Sequence, residues 1–574
     1  MPNGHPRPKI LMLVDRIPGQ PLGTVDSFGI SFSPTPDITD LYFFSLSHLL
    51  SKLDADIIKA HRQTDPASDN GAPTPADLEN FRFSQGSLAD FDEVWLIGYG
   101  STRLDQPNLT SAEIASVPDE TELAALATFM NNGGGVFAVG DHAGLGLSLS
   151  GGVPRVRTMR KWWYPKTGPF GNEPIAPPAI NTSGGNRLDT TRPGRTVATD
   201  PNAPGSPAVW FDDQSDDIPQ TLIPNNQGNV CYEPTVYLSN PSLLHPLLQG
   251  PNGPILGFAD HMHEGEVILP YEYDRVFTFA GQQFVEYPVG HGPSGVVVEP
   301  QIIAWSSTNG SANVVPQGEL KVHVGDDGIS ARQFYGAIGA YDGSIAGVGR
   351  VVVESTFHHF MDINLIGDPM APVDAVKSGN PKYLGFLATP EGQAVLAGIE
   401  AYYNNVAQWL APPPLKKRQW VSGAILALQN RTLRELATNP PPDIRVHLGR
   451  VAAATLRQQV RPGMLIAQLV AVLPDRVRFA LPALPWGPVT GTNGCGSVDY
   501  NQFLHAALGE AVLAAAELSK GRGILSLLHD PEVASKITDA TLHGVAALAK
   551  DFDRHAEGLH RLARELNASA AEAL

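Results

Sequence analysis

The sequence predicts an α/β fold with a doubly wound, mostly parallel sheet, a long irregular insertion and an α-helical C-terminal domain. Three observations lead to this. Short apolar runs alternate with helical patterns up to about residue 140, loop-forming residues dominate 150–235, and helical patterns alone follow residue 381. Continuous apolar runs bounded by turns are typical of strands buried on both faces, as in a parallel sheet. We expect an α/β domain over 1–380 and a helical domain over 381–574.

The composition is that of a globular protein, and its charge excludes several functions. The chain has 574 residues, of which 42% are hydrophobic and 17% charged, with 57 Gly and 50 Pro. This composition is neither disordered nor collagen-like. The net charge is −18, whereas nucleic acids and anionic membranes are bound by basic surfaces. No nucleic-acid or membrane partner is expected.

The cysteines and the apolar runs bear on the compartment. Cys231 and Cys495 lie far apart and form no CxxC motif, so neither a disulfide framework nor a thiolate zinc site is expected. The first apolar run, 10–14, is too short for a signal peptide. No run approaches the ~18 apolar residues of a membrane span. We expect a soluble, cytoplasmic protein.

The N-terminal region alternates strands with helices. Strands are predicted at 9–15, 56–60, 92–98 and 136–140, and leucines at helical spacing predict a helix within 40–52. A second helix begins after Pro118, because acidic residues fill its first turn, where the helix dipole favours negative charge. This alternation predicts βαβ units, whose ligands bind outside the carboxyl ends of the strands.

Further strands and then helices complete the prediction. Strand patterns recur at 255–259, 301–305 and 349–355, and helical patterns cover 391–410, 417–437, 446–471, 500–519 and 532–567. In the last helix, Leu548, Phe552, Leu559 and Leu562 share one face. A homo-oligomer formed through the C-terminal helices is therefore a hypothesis.

Two groups of motifs resemble a known family. The run 91–97, a helix, and then Gly133–Gly144 (GGGVFAVGDHAG) resemble the ThuA-like (trehalose-utilisation) branch of the class I glutamine amidotransferase-like superfamily. In the same order follow His245-Pro246, the run 300–305, and 349–353 leading into Phe357-His358-His359. The resemblance covers roughly residues 8–370 and implies a class I glutamine amidotransferase-like sheet domain.

The resemblance also implies an altered active site. In true glutamine amidotransferases a G-x-C-x-G turn carries the nucleophilic cysteine, and a histidine acts as its base. Here the turn reads Gly140-Asp141-His142-Ala143-Gly144, so a histidine stands in the nucleophile position. The family's F-H-P-E pattern reads Phe357-His358-His359-Phe360, which matches His358 but no acidic residue. Cysteine-dependent glutamine hydrolysis is not expected.

Two catalytic hypotheses follow for this edge of the sheet. A divalent metal such as Zn or Fe would activate water, with ligands drawn from His142, His261, His263 and His358. Without a metal, imidazoles would move protons near neutral pH, with His142, His358 and Asp141 as the catalytic residues. His359, Trp163 and Asp362 are the expected contacts to a small polar substrate, for which the resemblance implies a sugar derivative or an amide.

Non-catalytic interpretations stay open beside these. The histidines are also compatible with ordinary hydrogen-bonded side chains, and an aspartate at a strand-to-helix turn commonly caps the helix. The aromatic cluster around Trp163 would equally pack a loop on the sheet. The whole chain would then be a catalytically inactive binding or assembly module, since fold does not determine function.

Overall fold

The computed structural model describes residues 5–15, 46–62, 77–100, 102, 109, 111–141, 145–161, 192–193, 209–210, 220–225, 244–259, 265–270, 273–290, 297–307, 334–367, 385–441, 444–456, 460–474 and 500–572. The chain divides into two compact units. The sheet unit comprises Arg7–Pro412 and Ala483–Cys495, and the helical unit comprises Met1–Pro6, Pro413–Pro482 and Gly496–Leu574. The division therefore falls later in the chain than the boundary at 380 expected from the sequence.

The strands have the following bounds: β1 Lys9–Val14, β2 Asp56–His61, β3 Glu93–Ile97, β4 Gly135–Val139, β5 Arg160–Lys161, β6 Arg192–Pro193, β7 Val209–Trp210, β8 Gln220–Pro224, β9 Gln249–Gly250, β10 Gly253–Pro254, β11 Gly257–Phe258, β12 Glu266–Val267, β13 Val276–Phe279, β14 Gln282–Val285, β15 Gln301–Ser307, β16 Phe334–Tyr341 and β17 Val351–Glu354.

The α-helices have these bounds: α1 Ser47–Lys52, α2 Ser111–Ser116, α3 Glu120–Asn131, α4 Leu147–Ser150, α5 Asp362–Ile366, α6 Pro390–Leu410, α7 Pro413–Ala427, α8 Arg431–Thr438, α9 Arg445–Leu456, α10 Pro462–Val472, α11 Tyr500–Leu518 and α12 Pro531–Glu572. None of the described helices combines the length and the apolar character needed to cross a membrane.

The main sheet has the strand order β11-β8-β15-β16-β17-β4-β3-β1-β2. The strands from β17 to β2 are parallel neighbours, and those from β17 to β11 are antiparallel. The short strand β12 pairs with β16, and β5 pairs with β12. The structure confirms a mixed α/β architecture with a largely parallel central sheet and a helical C-terminal region. Within the region expected to be irregular, β8 joins the main sheet.

The central strands are buried on both faces, which explains their continuous apolar sequences. On one face, Leu13 and Ala138 belong to a core that also contains Leu126 of α3. On the other face, the ring of Phe137 packs against Tyr403 of α6, with ring centroids 6.2 Å apart. Because successive residues of a strand point to opposite faces, neither face of β4 accommodates polar residues.

Helix α3 begins where the sequence predicts it, because a capping box fixes its first turn. The carboxylate of Asp119 accepts from Glu122 N at 2.9 Å, and Glu122 Oε2 accepts from Asp119 N at 3.2 Å. Glu122 also pairs with the buried guanidinium of Arg62, which follows β2. One carboxylate therefore joins the start of α3 to the end of β2.

In the helical unit, glycines allow close helix packing. A Cβ on Gly449 of α9 would lie 1.7 Å from the carbonyl oxygen of His505 in α11, and one on Gly509 would lie 2.0 Å from that of Arg445. Trp420 of α7 donates from Nε1 to Thr541 Oγ1 of α12 at 2.9 Å. These contacts hold the helices of this unit together around a common core.

Candidate functional site

The candidate site lies at the carboxyl edge of the parallel strands. Asp15 follows β1, Tyr99 follows β3, Asp141 follows β4, and His358 follows β17. These four strands are consecutive in the sheet order. The carboxyl ends of parallel strands meet at one edge, which is where ligands of open α/β sheets bind.

His358 lies between an amide and a carboxylate. Its Nδ1 is 3.0 Å from Asn364 Oδ1, and its Nε2 is 3.5 Å from Asp141 Oδ2. All three residues are buried. Because the amide oxygen of Asn364 can only accept a hydrogen bond, Nδ1 is assigned as its donor, and Nε2 faces the carboxylate.

The backbone on either side fixes the position of the His358 ring. A short 3₁₀ turn, Phe357–His359, follows β17, and Thr356 Oγ1 accepts from His358 N at 3.0 Å. Asn364 lies in α5, directly after this turn. One continuous strand-turn-helix segment therefore carries both the imidazole and its amide partner.

Arg160 joins the two strand ends that carry the pair. Its guanidinium, which is fully buried, donates to the carbonyl of Glu354 and, at 3.0 Å, to the carbonyl of Asp141. Only glycine fits at 265, because a Cβ there would lie 2.0 Å from Arg160 Nη2. The guanidinium thus fixes the spacing between the ends of β4 and β17.

His359, which was expected to contact substrate, is held inside the protein. Its Nδ1 is 3.2 Å from Glu354 Oε2, and its Nε2 is 3.0 Å from Gln220 Oε1 of β8. The hydroxyl of Tyr403 donates to the same carboxylate at 2.9 Å. Burial, and then the charge of Glu354, raise the pKa of the Tyr402 and Tyr403 hydroxyls well above the usual value. The described contacts of His359 are those of a buried polar network.

Asp362, the other described residue expected to bind substrate, connects helices. It begins α5, and its Oδ1 accepts from His48 N of α1 at 2.9 Å. His48 in turn lies with Nε2 3.0 Å from Glu400 Oε1 of α6. These contacts place Asp362 at a junction of three helices.

Asp15 is a further acidic group at this edge. It accepts hydrogen bonds from Tyr99 N at 2.5 Å and from Gly100 N at 3.0 Å. Burial raises the pKa of this carboxyl to about 7, although both backbone N–H groups and the charge of Arg62 lower it. Near neutral pH, this carboxyl exists in both its protonated and its ionised form.

Several predicted site residues lie outside the described residues, namely His142, Trp163, His261 and His263. Within the described part of the chain, no group of three or more His, Cys, Asp or Glu side chains is arranged to hold a metal ion. Three of the four predicted metal ligands are therefore among the residues that the structure does not describe, and metal binding stays a prediction. The chemistry considered below is written for the described residues alone.

Sequence reasoning missed Asn364 and the contacts of Arg160. Asn364 is six residues from His358, a spacing with no meaning until a turn and a helix start intervene. Arg160 lies in the loop-rich region, and its partners are main-chain carbonyls, which leave no trace in the sequence. For Asp15 a signal existed, because a carboxylate directly ends a continuous apolar run.

Comparison of the chain with models of protein families, with curated proteins and with solved structures gave no match.

Proposed function

We propose that the protein is a hydrolase-type enzyme without a cysteine nucleophile, in which His358 acts as a general base at the carboxyl edge of the sheet. One observation carries the proposal: the imidazole of His358 lies between Asn364 and Asp141. A base oriented by a third group is the arrangement by which hydrolases activate a nucleophile.

Each member of this group has a chemical role. Nε2 of His358 accepts a proton from water as the water oxygen bonds to the electrophilic carbon of the substrate. The bond to the leaving oxygen or nitrogen then breaks, and the leaving atom takes up a proton. Asp141 stabilises the imidazolium that forms, and Asn364 keeps the proton on Nδ1 before the reaction. Burial strengthens these interactions, because the local dielectric constant is low.

The substrate class and the family relationship belong to the same proposal. Asp141 belongs to the Gly140–Gly144 turn, and His358 to the segment Phe357–His359, through which the sequence resembles the ThuA-like branch of the class I glutamine amidotransferase-like superfamily; their side chains lie 3.5 Å apart. We therefore propose a small polar substrate, a sugar derivative or an amide, and a cytoplasmic location. Direct attack by water accounts for hydrolysis without a thiol.

A panel of chromogenic nitrophenyl glycosides, nitroanilides and nitrophenyl esters tests the proposal. The wild type should hydrolyse one of these classes, and His358→Gln should lose about 10²- to 10⁴-fold in kcat. His245→Asn is the matched control, because His245 is also a buried histidine of the sheet unit but lies beside Arg350, at the amino end of β17. Equal turnover by wild type and His358→Gln would refute the proposal, as would failure of the wild type on all three classes.

The alternative is a catalytically inactive assembly module that associates through its C-terminal helices. It is favoured by α12, which at 42 residues is about 63 Å long, and by Phe552 on that helix, which is 38% exposed although its ring packs on Phe503. Sedimentation of the full chain and of Phe552→Glu distinguishes the two functions. An assembly module should dissociate in the variant and should hydrolyse no member of the panel.

A further inference from the structure

The carboxyl of Asp15 lies across the end of β3. Oδ1 accepts from the N–H of Tyr99 and Oδ2 from that of Gly100, the second and third residues after this strand. A Cβ on Gly100 would lie 2.9 Å from Asp15 Oδ2 and 2.5 Å from Ser148 Oγ. Glycine is therefore required at position 100 for the carboxyl and the hydroxyl to approach the backbone there.

This position is the topological switch point of the parallel sheet. From β1 the chain passes to β2 on one side of it, and β3 then lies on the other side of β1. In open α/β sheets, the crevice outside the carboxyl ends of the strands at such a reversal is where ligands bind. Asp15 is the first residue after β1 and lies at this edge of the sheet.

Ring contacts link the backbone that binds this carboxyl to the turn that carries the proposed base. The ring of Tyr99 packs on that of Phe357, with centroids 5.0 Å apart, and Phe357 precedes His358. Strands β3 and β4 lie between β1 and β17, so the strand ends that precede Asp15 and His358 are separated by three strand spacings, about 14 Å. Because both side chains extend from the backbone, their functional groups can lie closer than this. Glycosidases in which water attacks directly place their two carboxyl groups roughly 6.5–9.5 Å apart, with the water between them.

The charged groups that face Asp15 are few in the described part of the chain. Arg62, after β2, favours the ionised form of the carboxyl. The charge of Arg62 is in turn balanced by Glu122 of α3, because both terminal nitrogens of the guanidinium donate to this carboxylate. Tyr99 and Gly100 contribute N–H groups, and α4 contributes the neutral Ser148. Burial outweighs these effects and keeps the pKa of Asp15 at about 7, which suits a proton donor near neutral pH.

We propose that Asp15 is the general acid of the reaction and protonates the leaving group. This inference rests on the proposed function. As water attacks the electrophilic carbon and gives a proton to His358, the bond from that carbon to the leaving oxygen or nitrogen breaks. The leaving atom takes the proton of the Asp15 carboxyl. Release of the His358 proton to solvent and uptake of a proton by Asp15 restore the enzyme, so that one water and one substrate yield two products.

Leaving-group dependence tests this role directly. Asp15→Asn keeps an oxygen acceptor but has no acidic proton. For a substrate of the class that the panel identifies, kcat should fall by about 10²- to 10⁴-fold with an unactivated phenyl or anilide leaving group. With a dinitrophenyl leaving group, which departs without protonation, the loss should be less than about 10-fold. The fall in rate of the wild type above pH 7 should vanish in the variant.

Asp342→Asn is the matched control, because Asp342 is a largely buried carboxylate that pairs with Arg350 before β17. In Asp342→Asn the loss in kcat should be the same with the unactivated and with the dinitrophenyl leaving group, since a structural effect does not depend on the leaving group. Equal losses for Asp15→Asn would overturn the inference, while the proposed function would survive if His358→Gln is still inactive. A second measurement needs no substrate. The carboxyl ¹³C signal that is lost in Asp15→Asn should titrate near pH 7, and titration near pH 4 would also overturn the inference.

Discussion

Stability in acid should depend on His245. This side chain is 9% exposed, and its Nδ1 accepts from Leu247 N at 3.3 Å, which caps a 3₁₀ turn. Its ring packs against that of Trp409, with centroids 5.2 Å apart. Burial lowers the pKa of this imidazole from 6.5 to about 3, and the charge of Arg350 acts in the same direction, whereas Asp342 raises it.

The size and sign of the effect follow from proton linkage. Above pH 6.5 the imidazole is neutral in both the folded and the unfolded chain, so it does not make stability depend on pH. As the pH falls below 6.5, the unfolded chain takes up a proton that the folded chain does not, and stability is lost until about pH 3. Each pKa unit corresponds to about 1.4 kcal/mol, so the loss is about 3 kcal/mol at pH 4.5 and about 5 kcal/mol in full.

Urea unfolding of the sheet unit at pH 7.5 and pH 4.5 measures this contribution. His245→Asn retains an acceptor suited to the cap but cannot titrate. From pH 7.5 to pH 4.5, the free energy of unfolding of the wild type should fall by about 3 kcal/mol more than that of the variant. The control is His447→Asn, which changes an exposed histidine of α9. Equal losses for wild type and His245→Asn would refute the argument, because burial would then not keep the imidazole neutral.

Three further predictions concern the buried contacts. Arg62→Met should destabilise the sheet unit by about 3–5 kcal/mol in urea unfolding, because it leaves the carboxylate of Glu122 buried without its cation. Adding Glu122→Gln should recover part of this loss. Purely additive losses of stability in the double variant would contradict the argument. Asn364→Leu should lower kcat by about 10- to 100-fold with little change in KM, since His358 loses the acceptor that orients it; an unchanged kcat would show that the amide has no orienting role. Gly449→Ala should destabilise the helical unit by about 1–3 kcal/mol, because the added carbon meets a backbone carbonyl of α11, and unchanged thermal unfolding would argue against this packing.

The sequence alone determined where the parallel strands and most helices lie. The apolar runs at 9–15 and 92–98 became β1 and β3 because a strand buried on both faces needs apolar side chains at every position. β16 escaped prediction. Its sequence, FYGAIGAY, places glycines at 336 and 339, which normally argue against a strand. In the structure, a Cβ at 336 would lie 2.3 Å from the carbonyl of Val267 in β12, so the glycine serves a close backbone approach.

The sequence also determined that Asp141 and His358 follow strand patterns, and hence that they are candidates for one edge. Only the tertiary structure decided that their side chains lie 3.5 Å apart, that Asn364 orients the imidazole, and that Arg160 ties the strand ends together. The physical reason is that strands and helices arise from local periodicity, which is written in neighbouring residues. Contacts between side chains depend instead on sheet order, register and loop paths, which arise from interactions between distant parts of the chain.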